Sequence, residues 1–65
     1  MNRLRLTRRA KDITQEQLMK RTGIDFAVIS RIEREWVQPT EAQKAKLSDA
    51  LGVAKDWLFP QRREH

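Results

Sequence analysis

The sequence predicts a compact all-α domain of five short helices, and three observations lead to this prediction. Apolar residues recur at the three- and four-residue spacing of helices, and no long alternating β-branched run indicates a strand. A helix-starting pattern, Thr-x-x-Gln, occurs at 14–17 and again at 40–43. Glycines stand at positions 23 and 52, where two of these helices would end. The chain has 65 residues and no cysteine, which indicates one small domain without disulfides or cysteine-based zinc sites.

Helix 1 is predicted over about residues 3–11. Asn2 is its expected cap, and Met1 would pack onto Leu6 as a hydrophobic staple. Asp12 would end the helix in or near the left-handed region, where glycine is the easier choice.

Residues 15–33 are the most informative segment, because they are predicted to form two helices broken at Gly23. Thr14 and Gln17 would make a capping box for helix 2, and Asp25 is the expected cap of helix 3. The residues expected to point inward or to staple the helix starts are Ile13, Leu18, Ile24, Ile29 and Ile32. Two helices joined by a tight glycine turn make a helix-turn-helix unit, which places its second helix in the major groove of DNA.

Helix 4 is predicted to start at Thr40, with Gln43 completing a second capping box, and to end at Gly52. The residues expected to form its apolar side are Ala42, Ala45, Leu47, Ala50 and Leu51.

Helix 5 is predicted over about residues 55–59. Ala54 is a poor cap, so packing must hold this turn. The residues expected to supply that packing are Val53, Trp57 and Leu58. Residues 61–65 are expected to be a disordered basic tail, which leaves residues 1–60 as the domain.

Lysine and arginine total 14 against nine acidic residues, giving a net charge of +5 and an isoelectric point near 10.5. This balance favours a polyanionic partner such as nucleic acid, and the alternative is an ordinary charged surface. No apolar run approaches the roughly 20 residues of a membrane span, and no secretory signal is evident, so we expect a cytoplasmic protein. His65 is the single histidine. Because no nucleophile–base pair, carboxylate dyad, phosphate loop or ligand cluster is visible, we expect no enzyme activity, no metal and no other cofactor.

With these elements placed, the sequence resembles the Cro-repressor-like (Xre-like, lambda-repressor-like) helix-turn-helix family over residues 3–59. The segments that carry the resemblance are LRLTRR at 4–9, ITQEQL at 13–18, GIDFAVISRIERE at 23–35, PT at 39–40 and ALGVAKDWLF at 50–59. The resemblance implies a five-helix domain that binds operator DNA, commonly as a two-fold dimer.

Candidate base contacts lie on helix 3. The resemblance implies that Phe26, Ala27 and Arg31 face base edges, and we add Ser30 to this group. Arg31 can donate two hydrogen bonds to a guanine, worth roughly 1–3 kcal/mol of discrimination, or it can be an exposed arginine paired with an acid. Phe26 cannot hydrogen-bond, so it either packs on a thymine methyl or belongs to the core.

Candidate phosphate contacts are spread over three helices. The resemblance implies that Gln15 touches a phosphate and braces the start of the recognition helix. Arg34, Arg9 and Lys20 are further candidates, and each could equally be a solvated surface charge.

The resemblance also implies that Arg8 and Glu33 pair across helices 1 and 3, which we interpret as a structural contact.

Several positions depart from the family pattern. Met19 stands where a small residue usually lets the two helices cross closely. Thr7 and Thr22 replace apolar core residues. Glu35 replaces a usual glycine, so either a left-handed turn there costs about 1 kcal/mol or the loop differs. Phe26 replaces a residue that is often polar.

The aromatic residues near the end of the chain are assigned to the core or to a dimer surface. Trp57 is expected to close the core, and the candidates for a dimer interface are Trp57, Leu58 and Phe59. Trp36 could cover the core edge, touch the sugar-phosphate backbone or meet a second subunit.

The sequence therefore predicts a DNA-binding transcriptional regulator, of repressor type, that binds a palindromic operator as a homodimer. The alternative is an antitoxin-type or coactivator-type helix-turn-helix protein that acts mainly through a protein partner.

Overall fold

The computed structural model describes residues 1–60 and contains five α-helices in that range. They are α1 (Leu4–Ala10), α2 (Gln15–Thr22), α3 (Phe26–Glu33), α4 (Glu41–Leu51) and α5 (Lys55–Leu58). No residue of the described range lies in a strand, so the all-α, five-helix prediction is confirmed. The predicted tail at 61–65 lies outside the described residues.

Side chains from all five helices and from two loops build one apolar core. Its members are Leu4, Ile13, Leu18, Ile24, Ile29, Ile32, Leu47, Leu51, Leu58 and Phe59. Each helix is too short to be stable alone in water, so this shared burial is the main source of helix stability.

The two predicted capping boxes are confirmed. At the start of α2 the Thr14 hydroxyl accepts a hydrogen bond from the Gln17 backbone N–H at 3.0 Å, and the Gln17 side chain accepts from the Thr14 N–H at 2.9 Å. Thr40 and Gln43 repeat this arrangement at α4 with distances of 3.1 and 2.9 Å. Both boxes satisfy N–H groups that the helix itself leaves free.

Four helix ends pass through the left-handed region. Gly23 and Gly52 have φ of +78° and +68°, as predicted. Asp12, with φ of +56°, ends α1, and Glu35, with φ of +61°, follows α3. Asp12 is therefore confirmed in its predicted conformation, and Glu35 keeps the glycine-type turn despite its side chain.

The end of α3 is a Schellman motif. The Trp36 N–H donates to the Arg31 carbonyl at 2.9 Å and the Glu35 N–H donates to the Ile32 carbonyl at 3.0 Å. These bonds satisfy two carbonyls of the last turn, so the turn has a strong reason to form even without glycine.

Asn2 ties the start of α1 to the end of α3. Its side-chain oxygen accepts from the Leu4 N–H at 3.1 Å, and its amide nitrogen donates to the Ile32 carbonyl at 2.9 Å. The backbone places the cap position itself at Arg3, whose side chain makes no cap bond. Asn2 thus caps α1 with its side chain, as predicted, although it stands one residue before the cap position of the helix.

Two predicted local contacts are wrong. Met1 and Leu6 are both exposed, so they form no staple on α1. Asp25 occupies the cap position of α3, but its side chain makes no cap hydrogen bond.

The apolar side predicted for α4 is too wide. Leu47, Ser48 and Leu51 are the residues buried on it, whereas Ala42 and Ala45 are exposed. A residue two positions from Leu47 is rotated by about 200° around the helix, which directs Ala45 to solvent.

Helix α5 is a single turn held by packing, as predicted, with Leu58 buried and Val53 packed against the core, but with Phe59 in place of Trp57. Leu58 and Phe59 are buried, while Trp57 is 45% exposed. The prediction that Trp57 closes the core is therefore wrong. Leu58 takes the inward position of this short turn, and its neighbour Trp57 points about 100° away from it.

The two buried threonines differ in their hydrogen bonding. The Thr22 hydroxyl donates to the Leu18 carbonyl at 2.8 Å and accepts from the Ile24 N–H at 3.1 Å. The Thr7 hydroxyl has no hydrogen-bond partner among residues 1–60. Met19 is partly buried and packs against the core, so its flexible chain fills the helix crossing.

Candidate nucleic-acid interface

Helix α3 has one side in the core and one side turned away from it. Ile29 and Ile32 are buried, and successive residues advance by about 100° around the axis. We call the side of α3 turned away from these two residues its outward face. It consists of Ala27, Ser30, Arg31 and Arg34, with Phe26 at its edge, about 60° around the axis from Ile29.

The predicted base-contact residues therefore share one face. Arg31 is exposed, Phe26 is 48% exposed, and the two small residues, Ala27 and Ser30, are partly buried. Small residues in the middle of the face allow a ligand to approach the helix backbone closely.

A tight turn fixes α3 against α2. The Gly23 N–H donates to the Met19 carbonyl at 2.7 Å, which closes α2. The Thr22 hydroxyl then bonds to the Ile24 N–H, and Asp25 already stands at the cap position of α3. Three residues, 23–25, connect the two helices, so the relation between α2 and α3 is set by the turn and by the core beneath it.

Arg8, Glu33 and Gln15 brace α3 from behind. The Arg8 Nε donates to Glu33 Oε2 at 2.6 Å and its Nη2 donates to Glu33 Oε1 at 3.3 Å. The Gln15 Nε2 donates to the same Oε1 at 3.1 Å. The pairing of Arg8 with Glu33 thus joins α1 to α3, and Gln15 adds the start of α2 to the same carboxylate.

Gln15 supports α3 at a different place from the one expected. Glu33 is the last residue of α3, so Gln15 supports the end of the recognition helix rather than its start. The amide nitrogen carries two hydrogens, so one bond to Glu33 leaves a second donor.

A shallow cleft opens beside this brace. It is lined by Arg5, Arg8, Gln15, Ser30, Glu33 and Arg34. Arg5 and Arg34 are its exposed cations, while the Glu33 carboxylate is compensated by Arg8. Arg5 is not among the contacts predicted from the sequence. Its spacing of three residues from Arg8 is the signal that could have found it, because residues three apart share a helix face.

The candidate cations are available to an external anion. Arg31, Arg34, Arg9 and Lys20 are exposed, and none forms a salt bridge within residues 1–60. The alternative of Arg31 paired with an acid is therefore not seen in that range.

The other surface ion pairs among residues 1–60 involve none of these cations, and one of them joins the Met1 ammonium to the Glu35 carboxylate at 3.9 Å. Lys44 and Lys55 approach the Glu41 carboxylate at 3.1 and 3.2 Å, linking α4 to α5. The hydrogen bond from Lys44, with a further one from Lys55, lowers the pKa of Glu41. Because Glu41 is exposed, solvent screens this cluster strongly.

Trp36 stands away from the core. It is 68% exposed, and the Arg34 guanidinium lies 5.0 Å from its ring centre. This rules out the first of the three roles considered, because a residue this exposed does not cover the core edge. The ring lies against Arg34, a residue of the outward face of α3.

Trp57 contacts Arg3 at the start of α1. The Arg3 guanidinium lies 4.8 Å from the Trp57 ring centre, and its Nη1 donates to the Trp57 carbonyl at 2.6 Å. Leu58 and Phe59 are buried inside this chain, so Trp57 alone of the three dimer candidates presents a largely free side chain. Leu6, about one turn from Arg3, is also exposed.

Residues 1–60 contain no cluster of three or more histidine, cysteine, aspartate or glutamate side chains suited to a metal ion.

None of the helices among residues 1–60 is long and apolar enough to cross a membrane.

These features define a class of protein. A helix-turn-helix with a braced second helix, an outward face containing free arginines and a net charge of +5 is a DNA-binding module. A family model described as helix-turn-helix matches residues 4–58, which is most of the chain. The chain belongs to this family of Xre-like, lambda-repressor-like DNA-binding regulators. No curated protein matches it.

Proposed function

We propose that this protein is a sequence-specific transcriptional repressor that docks α3 in the major groove of a palindromic operator. The observation that carries the proposal is the combination of a free outward face on α3 with the Arg8–Glu33–Gln15 brace behind it. The brace holds the helix in one orientation, and a fixed orientation is what base-specific contact requires.

The dimensions of α3 suit the groove. An α-helix with its side chains is about 10–12 Å in diameter, and the major groove of B-DNA is about 12 Å wide, so α3 can lie in the groove. With α3 in the groove, Arg31 donates to guanine O6 and N7, and the Ser30 hydroxyl can donate to or accept from a neighbouring base. The small side chain of Ala27 lets the helix approach the bases closely.

Phosphate contacts fix the register of the helix on the duplex. Gln15 offers its second amide hydrogen from the start of α2, and Arg5 and Arg34 flank the same cleft. Arg9 and Lys20 extend the basic surface. Each of these contacts that forms should steepen the salt dependence of binding, by about 0.9 in the logarithmic slope.

A homodimer would match a palindromic operator, with half-site centres about 34 Å apart. Trp57 and Leu6 supply the exposed apolar surface that such an interface needs, with Arg3 beside them. A domain this small, bound over a promoter, would repress by occupying the site.

The test is selection of bound duplexes from a random DNA pool, followed by measurement of stoichiometry on the enriched sequence. We expect an inverted repeat bound by two chains. An unenriched pool would contradict the proposal. A stoichiometric co-purifying protein together with weak DNA binding would favour the antitoxin-type or coactivator-type alternative.

A further inference from the structure

The outward face of α3 is chemically polarised. Its cations, Arg31 and Arg34, lie in the second half of the helix and at its end. The first turn carries Phe26 and Ala27, which have no hydrogen-bonding side chain, and follows the exposed acid Asp25. Opposite ends of one recognition helix therefore offer different chemistry to the groove.

Phe26 is only half covered by its own chain. It stands at the first position of α3, at the edge of the outward face and about 60° around the axis from the buried Ile29, with 48% of its surface exposed. The N-terminal residues of a recognition helix are the ones that contact base edges. A phenylalanine ring in that place can contribute to DNA binding only by apolar contact with a base.

The neighbouring charge indicates which part of DNA this contact involves. Asp25 is exposed, and its side chain makes no cap hydrogen bond, so its negative charge stands beside the ring. That charge repels phosphate and disfavours placing Phe26 against the backbone. On the floor of the major groove, the apolar group that the bases offer is the methyl on C5 of thymine.

We propose that Phe26, with Ala27 beside it, reads the C5 methyl group of a pyrimidine, and this inference rests on the proposed function. Recognition of the methyl itself has a consequence beyond thymine. A 5-methylcytosine carries the same methyl at the same place, so methylation of a cytosine at the contacted position strengthens binding. The protein is then sensitive to cytosine methylation through Phe26.

The experiment uses the duplex selected from the random pool, in which single thymines are replaced by uracil and single cytosines by 5-methylcytosine. Each exchange changes one methyl group and keeps the Watson–Crick edge. At the position facing Phe26 we expect uracil to weaken binding about fourfold, the loss of one buried methyl-sized group. If that position is converted to a C·G pair, 5-methylcytosine should bind about fourfold more tightly than cytosine.

Variants assign the effect to the ring. Phe26→Ala should reduce the methyl-dependent ratio to about one, whereas Phe26→Leu should keep part of it. Val37→Ala is the control, because it removes a 40% exposed apolar side chain that has no place in the proposed base contacts or dimer interface, and it should leave the ratio unchanged. Thermal melts of each variant check that the fold persists.

The outcomes separate this inference from the function on which it rests. If the protein prefers the selected duplex but no single methyl matters, or if Phe26→Ala keeps the wild-type methyl ratio, methyl reading is wrong. If no duplex is preferred over random DNA, sequence-specific regulation itself is wrong.

Discussion

Arg8 and Glu33 form a two-point ion pair that is almost entirely removed from solvent. Their side chains are 11% and 3% exposed, and their shortest contact is 2.6 Å. The guanidinium also donates to the Ile13 carbonyl at 2.9 Å, so one side chain fastens α3, α1 and the loop before α2. The orientation of the recognition helix therefore depends on a polar contact as well as on the core.

Removing one member of this pair should destabilise the domain strongly. Arg8→Met leaves the Glu33 carboxylate buried with only Gln15 to satisfy it, and we expect a loss of about 3 kcal/mol in unfolding free energy. Urea denaturation followed by circular dichroism measures it. The double variant Arg8→Met/Glu33→Leu should recover most of the loss, because no unpaired charge remains.

Losses that simply add in the double variant would contradict this account of the pair. We also expect the folded double variant to bind DNA more weakly than the wild-type protein, because the contacts that brace α3 are gone.

The two buried threonines should respond in opposite ways to the same substitution. Thr7→Val removes a buried hydroxyl that has no partner within residues 1–60, and it should stabilise the domain by about 1 kcal/mol. Thr22→Val removes a hydroxyl that both donates and accepts, and it should destabilise by about 1–2 kcal/mol. Thermal melts of the pair measure both, and a loss of stability in Thr7→Val would show that its hydroxyl is satisfied in solution.

Glu35 occupies a glycine conformation, and two substitutions separate its backbone from its side chain. Its carboxylate accepts from the Asn2 N–H at 3.1 Å, an exposed contact of small value. Glu35→Ala loses this contact and keeps the left-handed strain, whereas Glu35→Gly loses the contact and relieves the strain. We expect the glycine variant to be more stable than the alanine variant by about 1 kcal/mol.

Equal stability of the two Glu35 variants would mean that the loop rearranges when the side chain is removed. The urea midpoints of unfolding of the two variants decide this, provided that their unfolding free energies depend equally steeply on urea.

Most of the local structure could be predicted because short-range chemistry determines it. The boxes at Thr14 and Thr40 need only two residues three positions apart, and the turns at Gly23 and Gly52 need only a residue that tolerates positive φ. These signals are complete within one turn of sequence.

The wrong predictions concern contacts between residues that are far apart in the sequence. Trp57 has the composition of a core residue, but Leu58 and Phe59 fill the space and leave it outside. Gln15 has the right spacing for a helix start, yet its partner is Glu33, 18 residues away. Neither outcome can be read from periodicity, because the first depends on how α5 packs on the core and the second on how α2 meets α3.

Arg31 and Arg9 should separate base recognition from general attraction to DNA. Both are exposed and neither has an ion-pair partner in the described range, but Arg31 lies on the outward face of α3 and Arg9 lies near the end of α1. Arg31→Ala should relax base preference at one position of the selected operator, by roughly 1–3 kcal/mol. Arg9→Ala should weaken binding to all sequences alike and reduce the salt slope by about 0.9. Fluorescence anisotropy across a salt series, with the operator and a scrambled duplex, gives both quantities, and an unchanged preference in Arg31→Ala would mean that α3 does not dock as proposed.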